Sequence, residues 1–561
     1  MKAFYYVMCI GLLFACGGGG GGGGGGPQNP PVTTTPPAPP AGPTAAEMTA
    51  AARLLDLATF GATYDEIEDA AVQGADAWLE AQLVMPASQH MPVVQRYITE
   101  YGFDLSADPF PGFYRRFAFW EQALTAPDQL RQLVAYALTQ IFVVSDNVGA
   151  IVNDPRALGS YYDLLMEHGF GNYRDLLRAV TLHPAMGLYL SHVNNGKSDP
   201  ITNTFPDENY AREVMQLFSI GLFELNPDGT RVLDGGDPIP TYANSDIREF
   251  SKIFTGLSYG PEFPGGPSFF GKRNPVMHVP MTMFDDFHEE GDKQLLNGFV
   301  VPAGQSGMED LDDAIDNLFN HPNVGPFIGK QLIQRLVTSN PSPEYVSRVS
   351  AVFADNGAGV RGDMRAVIRA ILTDAEVAQG IRLREPFRRY VALNRSLHSV
   401  GEDGTYPGLG FVSEFLTGQN VLSAPSVFNF YLPIFSPAGS IKDAGLAAPE
   451  FQITDASTII GMTNLVAYAL FSEQSLDTPN NFTRIVPDLS EFESLASDGA
   501  AMVDRIDLIF FGGAMDDETR AIITQYVSDT FSSSGDTTLT AQVGLYLSLT
   551  SPAYAVNGGD L

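Results

Sequence analysis

The chain has 561 residues with 65 acidic against 32 basic side chains, a formal net charge of -33 at pH 7. Acidity on this scale argues against nucleic acid and anionic membrane surfaces as partners and describes a solvated surface. Hydrophobic residues at 44% and aromatics at 11% suffice for a large core, while only two cysteines, Cys9 and Cys16, exclude a cysteine-based metal site in the mature fold.

Residues 1–15 read as a signal peptide: Lys2 is a minimal positive start, 3–13 is an apolar run too short to span a bilayer, and Ala15 is the small residue before the cut. Leu13-Phe14-Ala15-Cys16 resembles a bacterial lipobox, which implies lipid on Cys16 as the new N-terminus. Gly17 follows rather than Asp, so the same resemblance favours the outer membrane, with the body facing either side of it. The alternative is an ordinary secretory signal and a soluble protein. Residues 16–45 then form a Gly-rich and Pro-rich tether that contributes nothing to a core.

From 46 to 561 the pattern predicts one large helical domain, or two closely packed subdomains. Helices are predicted from Arg53 to near Gly61, over 64–83, over 130–144, and over 161–166 and 173–180 on either side of His168-Gly169-Phe170-Gly171. A further helix over 310–319 places Leu311, Ile315, Leu318 and Phe319 on one stripe, with its acids expected on the outer face. Helices follow over 323–336, 343–353, 364–372, 503–511, 517–528 and 541–549. Strand signals are sparse. Pro227-Asp228-Gly229 marks the turn of a small hairpin over 225–233, and 261–280 reads as a Gly/Pro-rich loop. The expected fold class is therefore mainly α, with a small β-hairpin and long loops.

Two polar groupings stand out. Asn209, Arg212, Glu213 and Gln216 fall at i, i+3, i+4 and i+7, a polar stripe opposite Tyr210, Val214, Leu217 and Phe218. These residue types can bind a sugar, a carboxylate or a phosphate, or position a general acid/base; they equally suit a solvated face or an internal ion pair. The second grouping is His288-Glu289-Glu290-Gly291-Asp292-Lys293, preceded by Asp285 and Asp286. A histidine among carboxylates offers ligands for a divalent metal or a base with an orienting acid, yet no HExxH spacing accompanies it. Gly256-Leu257-Ser258-Tyr259-Gly260 has the letters of a nucleophile elbow. A helix precedes it and a loop follows, so a helix C-cap and turn is expected.

Several segments resemble the bacterial domain-of-unknown-function family 1800. They include Ala58-Thr59-Phe60-Gly61, His183-Pro184-Ala185-Met186, Glu208-Asn209-Tyr210-Ala211-Arg212-Glu213, the His288 loop, Leu383-Arg384-Glu385-Pro386 and Ala424-Pro425-Ser426-Val427-Phe428-Asn429. The resemblance runs from about Ala51 to Tyr554. It implies a large, mostly helical exported protein, often encoded beside a relative of sulfatases and alkaline phosphatases, and implies no established activity. Glu289 stands where the family usually has Asp, and Gln216 where it often has Glu.

Two classes of function remain open. In the first, Glu213 and His288 are catalytic, with Asn209, Arg212, Gln216 and Lys293 binding ligand and His288 with Glu289 holding a divalent metal. The substrate would be a glycan or other anionic polymer of the cell envelope, and the chemistry of hydrolase type. In the second, the protein is a non-catalytic lipoprotein that scaffolds or binds a partner protein, which the family resemblance implies is the phosphatase- or sulfatase-like neighbour. In both, the membrane is reached through the lipid on Cys16.

Overall fold

Thr44 opens the first helix. Its Oγ1 accepts from the Glu47 N–H, and the Glu47 carboxylate accepts from the Thr44 N–H at 2.7 Å, a reciprocal cap that starts helix Ala45–Ala58. The helix begins well before Arg53 because its first turns are alanine-rich, which favours helix but leaves little apolar periodicity. The computed structural model describes residues 42–557 except 105–110, 264, 273–275, 402–405, 407–408, 473 and 478–481. The signal segment, Cys16 and the tether up to residue 41 lie outside them. Residues Pro43–Leu561 group as one compact unit.

The fold is mainly α, with 24 α-helices and only short strands among the described residues. Where one helix was expected over 64–83 there are two, Tyr64–Gln73 and Ala75–Val84. They are divided at Gly74, whose φ of 88° is open to glycine and strained for other residues. Helix Tyr114–Thr125 carries no stripe because every residue from Tyr114 to Trp120 is buried, Arg115 and Arg116 included. Both guanidiniums bind Asp146, and Arg116 also reaches Glu414 at 2.5 Å, so the burial of charge is paired. Trp120 of this helix packs edge-on to Phe387 and Tyr390 at the centre of the core.

Seven helices position the polar groups of interest. They are α1 (Met91–Tyr101), α2 (Pro155–His168), α3 (Tyr173–Leu182), α4 (Pro184–Tyr189), α5 (Asn209–Gln216), α6 (Asn244–Ile253) and α7 (Gly307–Phe319). The α7 acids divide. Asp312 and Asp316 face outward and pair with Arg178 and Arg174 of α3 at 2.6 and 3.0 Å, as an outer acidic face predicts. Asp310 does the opposite and is 1% exposed, because it lies one turn before Ala314 on the packed side of the helix.

The hairpin is more elaborate than expected. The Pro227-Asp228-Gly229 turn forms, with Leu225 bridging Arg231, but the chain reverses again at Gly235-Gly236. That second turn pairs β1 (Leu233–Asp234) with β2 (Asp237–Pro238). Further along, β3 (Leu257–Ser258) pairs antiparallel with β4 (Thr282–Met283), which pins the 261–280 loop at its base.

Candidate functional site

Helix α5 is fixed from its apolar side. Tyr210 stacks on His192 with ring centroids 3.9 Å apart, its hydroxyl shares a 2.7 Å hydrogen bond with Thr181 Oγ1 of α3, and Val214 and Phe218 are fully buried. The polar stripe then emerges on the other side, and it is not uniform. Asn209 is exposed, with Nδ2 3.5 Å from Ser191 Oγ. Arg212 is half-exposed and its Nη2 lies 3.5 Å from Glu208 Oε2, one turn back, rather than pairing with Glu213. Gln216 accepts a long 3.4 Å hydrogen bond from the Tyr242 hydroxyl.

Glu213 is the anomaly of the stripe. It is 7% exposed, and its buried Oε2 has no hydrogen-bond partner. Burial raises its pKa, and the Arg212 charge offsets only part of that rise. Tyr189, at the end of α4, is pushed up to about 12 by its own burial and by the Glu213 charge, and burial raises Tyr242 as well. A carboxyl moved toward neutral pH beside two phenols, an amide and a half-exposed guanidinium can donate or accept a hydrogen bond, or move a proton, at a hydroxylated ligand.

The His288 loop is built differently. Gly256, with φ of 86°, and Gly307 leave room for the imidazole: a Cβ at Gly307 would lie 2.9 Å from His288 Cγ. The ring is 3% exposed, with Nδ1 2.9 Å from the Thr255 carbonyl and Nε2 2.9 Å from Asp310 Oδ2. Both nitrogens therefore already face oxygen atoms of the protein, and neither is open to a metal in this arrangement. Lys293 was expected to meet a ligand. Its ammonium is instead buried, donating to the carbonyls of Glu289 and Gly291 at 2.6 and 3.0 Å and to Asp310 Oδ2 at 2.5 Å. The Glu289 carboxylate is taken up by Ser198, whose N–H lies 2.7 Å away; these bonds outweigh burial and hold its pKa below the usual value.

The residues expected to share one site thus form two separate groups. The segment between α4 and α5 ties them structurally: Lys197 N–H donates to the Phe287 carbonyl, and Asn195 accepts from Asp207 N–H while its own carbonyl accepts from Gly256 N–H. Among the described residues no hydrogen bond or ion pair joins Arg212 or Glu213 to His288, and no group of three or more His, Cys, Asp or Glu is arranged to hold a metal. Ser258 is also interior, fully buried in β3 with its hydroxyl donating to Asn194 Oδ1 at 2.5 Å.

The family model described as "Protein of unknown function (DUF1800)" matches residues 53–556, nearly the whole described chain. The chain belongs to the DUF1800 family. No curated protein and no solved structure matches it.

This DUF1800 protein also has a feature that the sequence reading missed. An open cleft of about 600 Å3 lies between α2, α3, the start of α1, and residues 278–280. Asp163 of α2 forms part of its wall. It accepts from the His90 and Met91 N–H groups at 2.6 and 2.9 Å, satisfying the start of α1, and burial pushes its pKa up to about 6. His183 caps α4, its Nδ1 accepting from Ala185 N–H, while Nε2 lies 3.1 Å from Ser160 Oγ. Burial lowers its pKa to about 3, so the ring is neutral. With Nδ1 accepting, Nε2 carries the proton and donates to Ser160, whose own hydroxyl donates to the Arg156 carbonyl at 2.6 Å. The pair therefore has the composition of a nucleophile and base but the wrong proton placement. In the sequence this region shows only as the helices expected over 161–166 and 173–180 and the family-like segment His183-Pro184-Ala185-Met186, with nothing to mark a cleft.

Proposed function

We propose that this protein is a cell-envelope lipoprotein whose α5 face binds a glycan or other hydroxyl-rich anionic polymer. Glu213 is the group that exchanges a hydrogen bond or proton with the ligand. Arg212 holds an anionic or hydroxyl group, and Asn209 and Gln216 complete the polar contacts. The observation that carries this reading is the bare, buried Oε2 of Glu213 with its raised pKa. A buried acceptor without a partner is unfavourable by about 1–3 kcal/mol, and a ligand hydroxyl would repay that. The envelope location is supported by the Leu13-Phe14-Ala15-Cys16 segment. No helix among the described residues is long and apolar enough to cross a membrane, so attachment rests on the lipid in this proposal.

The test is co-sedimentation with peptidoglycan and affinity electrophoresis in alginate and polygalacturonate, with release of reducing ends assayed alongside. The wild-type protein should be retained by at least one polymer. Arg212→Ala and Glu213→Gln should each weaken retention by about tenfold, the size of one lost charged hydrogen bond. Retention by none of them, or variants that bind like the wild type, would sink the reading. Replacing Cys16 by Ala should move the protein from the membrane fraction to the soluble one.

A second reading, a scaffold for a partner protein, draws on a different surface. Helices Leu409–Thr417 and Ala456–Phe471 meet closely at Gly461 and Leu416, and beside that contact Phe415, Ile460 and Ile459 are 81%, 61% and 55% exposed. Apolar side chains exposed together on a soluble surface are characteristic of interaction sites.

A further inference from the structure

The cleft between α2 and α3 is a second site, independent of α5. We propose that it binds the ammonium or guanidinium group of a ligand with an apolar body, such as a basic side chain or an alkylamine.

The charge of the cleft supports this. Asp163, Glu167 and Asp175 all line it. Arg178, the guanidinium in its wall, is committed to Asp312 through two contacts at 2.6 and 3.4 Å. Asp175 keeps only a loose 3.8 Å approach from Arg174, whose stronger partner is Asp316. His183 contributes no positive charge because its Nδ1 accepts a backbone N–H. The wall is thus left with an excess of carboxylates over free cations, and a cation is what it can neutralise.

The remaining walls select for more than charge. Met91, Leu164, Ala179, Leu182 and Pro280 supply apolar surface between the carboxylates, so a bare hydrated ion would leave that surface in water. His278 adds a directional group. It lines the cleft and is only partly buried, and its buried Nδ1 has no hydrogen-bond partner among the described residues. Asp163 is held rigidly by two backbone N–H groups, so the most buried carboxylate is already oriented. The proton placement on His183 and Ser160 makes the cleft a place that binds rather than one that cleaves.

The two sites share α3 and α4. Thr181 faces Tyr210 while Asp175, Arg178, Ala179 and Leu182 face the cleft, and α4 runs from His183 in the cleft to Tyr189 beside Glu213.

The experiment is saturation-transfer NMR and calorimetry with n-hexylammonium, n-hexanol and hexanoate on the soluble body of the protein at low salt. Hexylammonium should bind, and hexanol and hexanoate should bind at least about fivefold more weakly, as expected for partly screened charge contacts. The double variant Glu167→Gln/Asp175→Asn changes exposed side chains only; it should melt like the wild type and bind hexylammonium about fivefold more weakly. Ala179→Trp should fill the cleft and remove binding. Glu213→Gln should leave it unchanged. No hexylammonium binding, equal binding of hexanol, or an affinity indifferent to the double variant would overturn the proposal. A loss in Glu213→Gln would place the amine on the α5 face and overturn it as well.

Discussion

Asp310 and Glu213 are both buried carboxylates with one oxygen that lacks a partner, and their pKa values move in opposite directions. Burial would raise both. At Asp310 the bonds from His288 and Lys293 outweigh burial and lower the pKa, so the carboxylate stays ionised inside a cluster of compensating charge. At Glu213 the guanidinium of Arg212 is directed toward Glu208, and burial prevails. The partner decides, not the depth. The first residue is a strut that ties α7 to the His288 loop; the second retains an unmet interaction that a ligand can satisfy.

The comparison breaks most severely at Asp310. Replacing it by Ala leaves the Lys293 ammonium buried without its counter-charge, and should lower stability by about 3–5 kcal/mol in urea unfolding. A compensated exchange, Asp310→Leu with Lys293→Met, should recover most of that loss, since the unpaired charge and not the missing carboxylate is the damage. Because the folded pKa of Asp310 is depressed, its contribution is present above the unfolded value of 3.8 and is lost as pH falls through the folded one. Acid unfolding of the wild type should therefore show a component that Asp310→Ala lacks. A variant as stable as the wild type would remove the distinction between strut and site.

Glu213 should respond with the opposite sign and a smaller size. Its folded pKa lies above the usual 4.5 of a free glutamate, so its ionisation opposes folding once pH rises through the folded pKa. Glu213→Gln should therefore be more stable than the wild type at pH 8 and lose that advantage as the pH falls and the wild-type carboxyl takes up its proton. Stability gained with binding lost is the behaviour of a residue kept for function. A pH-independent loss of stability in Glu213→Gln would instead make Glu213 a second strut.

How much of this was legible in the sequence follows from the range of the signals involved. The α5 stripe spans eight residues of one helix, so its spacing alone placed Asn209, Arg212, Glu213 and Gln216 together. What spacing could not show was that Glu213 turns inward while its neighbours face out, because Tyr189 and Tyr242 come from distant segments. Asp310 was assigned to the solvated side of α7 with Asp312 and Asp316 because one helix read alone cannot reveal a buried lysine, Lys293, waiting for it. The cleft was invisible for the same reason: Met91, Asp163, Ala179, His183 and His278 meet only after four helices have packed. The general fold was easier, since most helices carry a stripe. Where a helix is buried all round, as Tyr114–Thr125 is from Tyr114 to Trp120, periodicity has nothing to report.

The smallest expected effect is a null one, and it bears on the metal expected at His288 and Glu289. To bind a cation through His288, the ring must surrender either its Thr255 or its Asp310 acceptor and expose a lone pair there. Placing the cation beside Asp310 would also set it against the Lys293 ammonium, which already occupies Oδ2. Glu289 would have to leave Ser198 to join it. Each change gives up a charged or buried hydrogen bond worth about 1.5–3 kcal/mol, before any coordination is gained. Metal content of the soluble body purified without chelator should therefore be the same in the wild type and in His288→Ala, while His288→Ala loses stability through the cavity and the bare Asp310 oxygen. A stoichiometric divalent metal present in the wild type and absent in the variant would turn the strut into a metal centre. The contrast with Glu213 would then have to be redrawn around that ion.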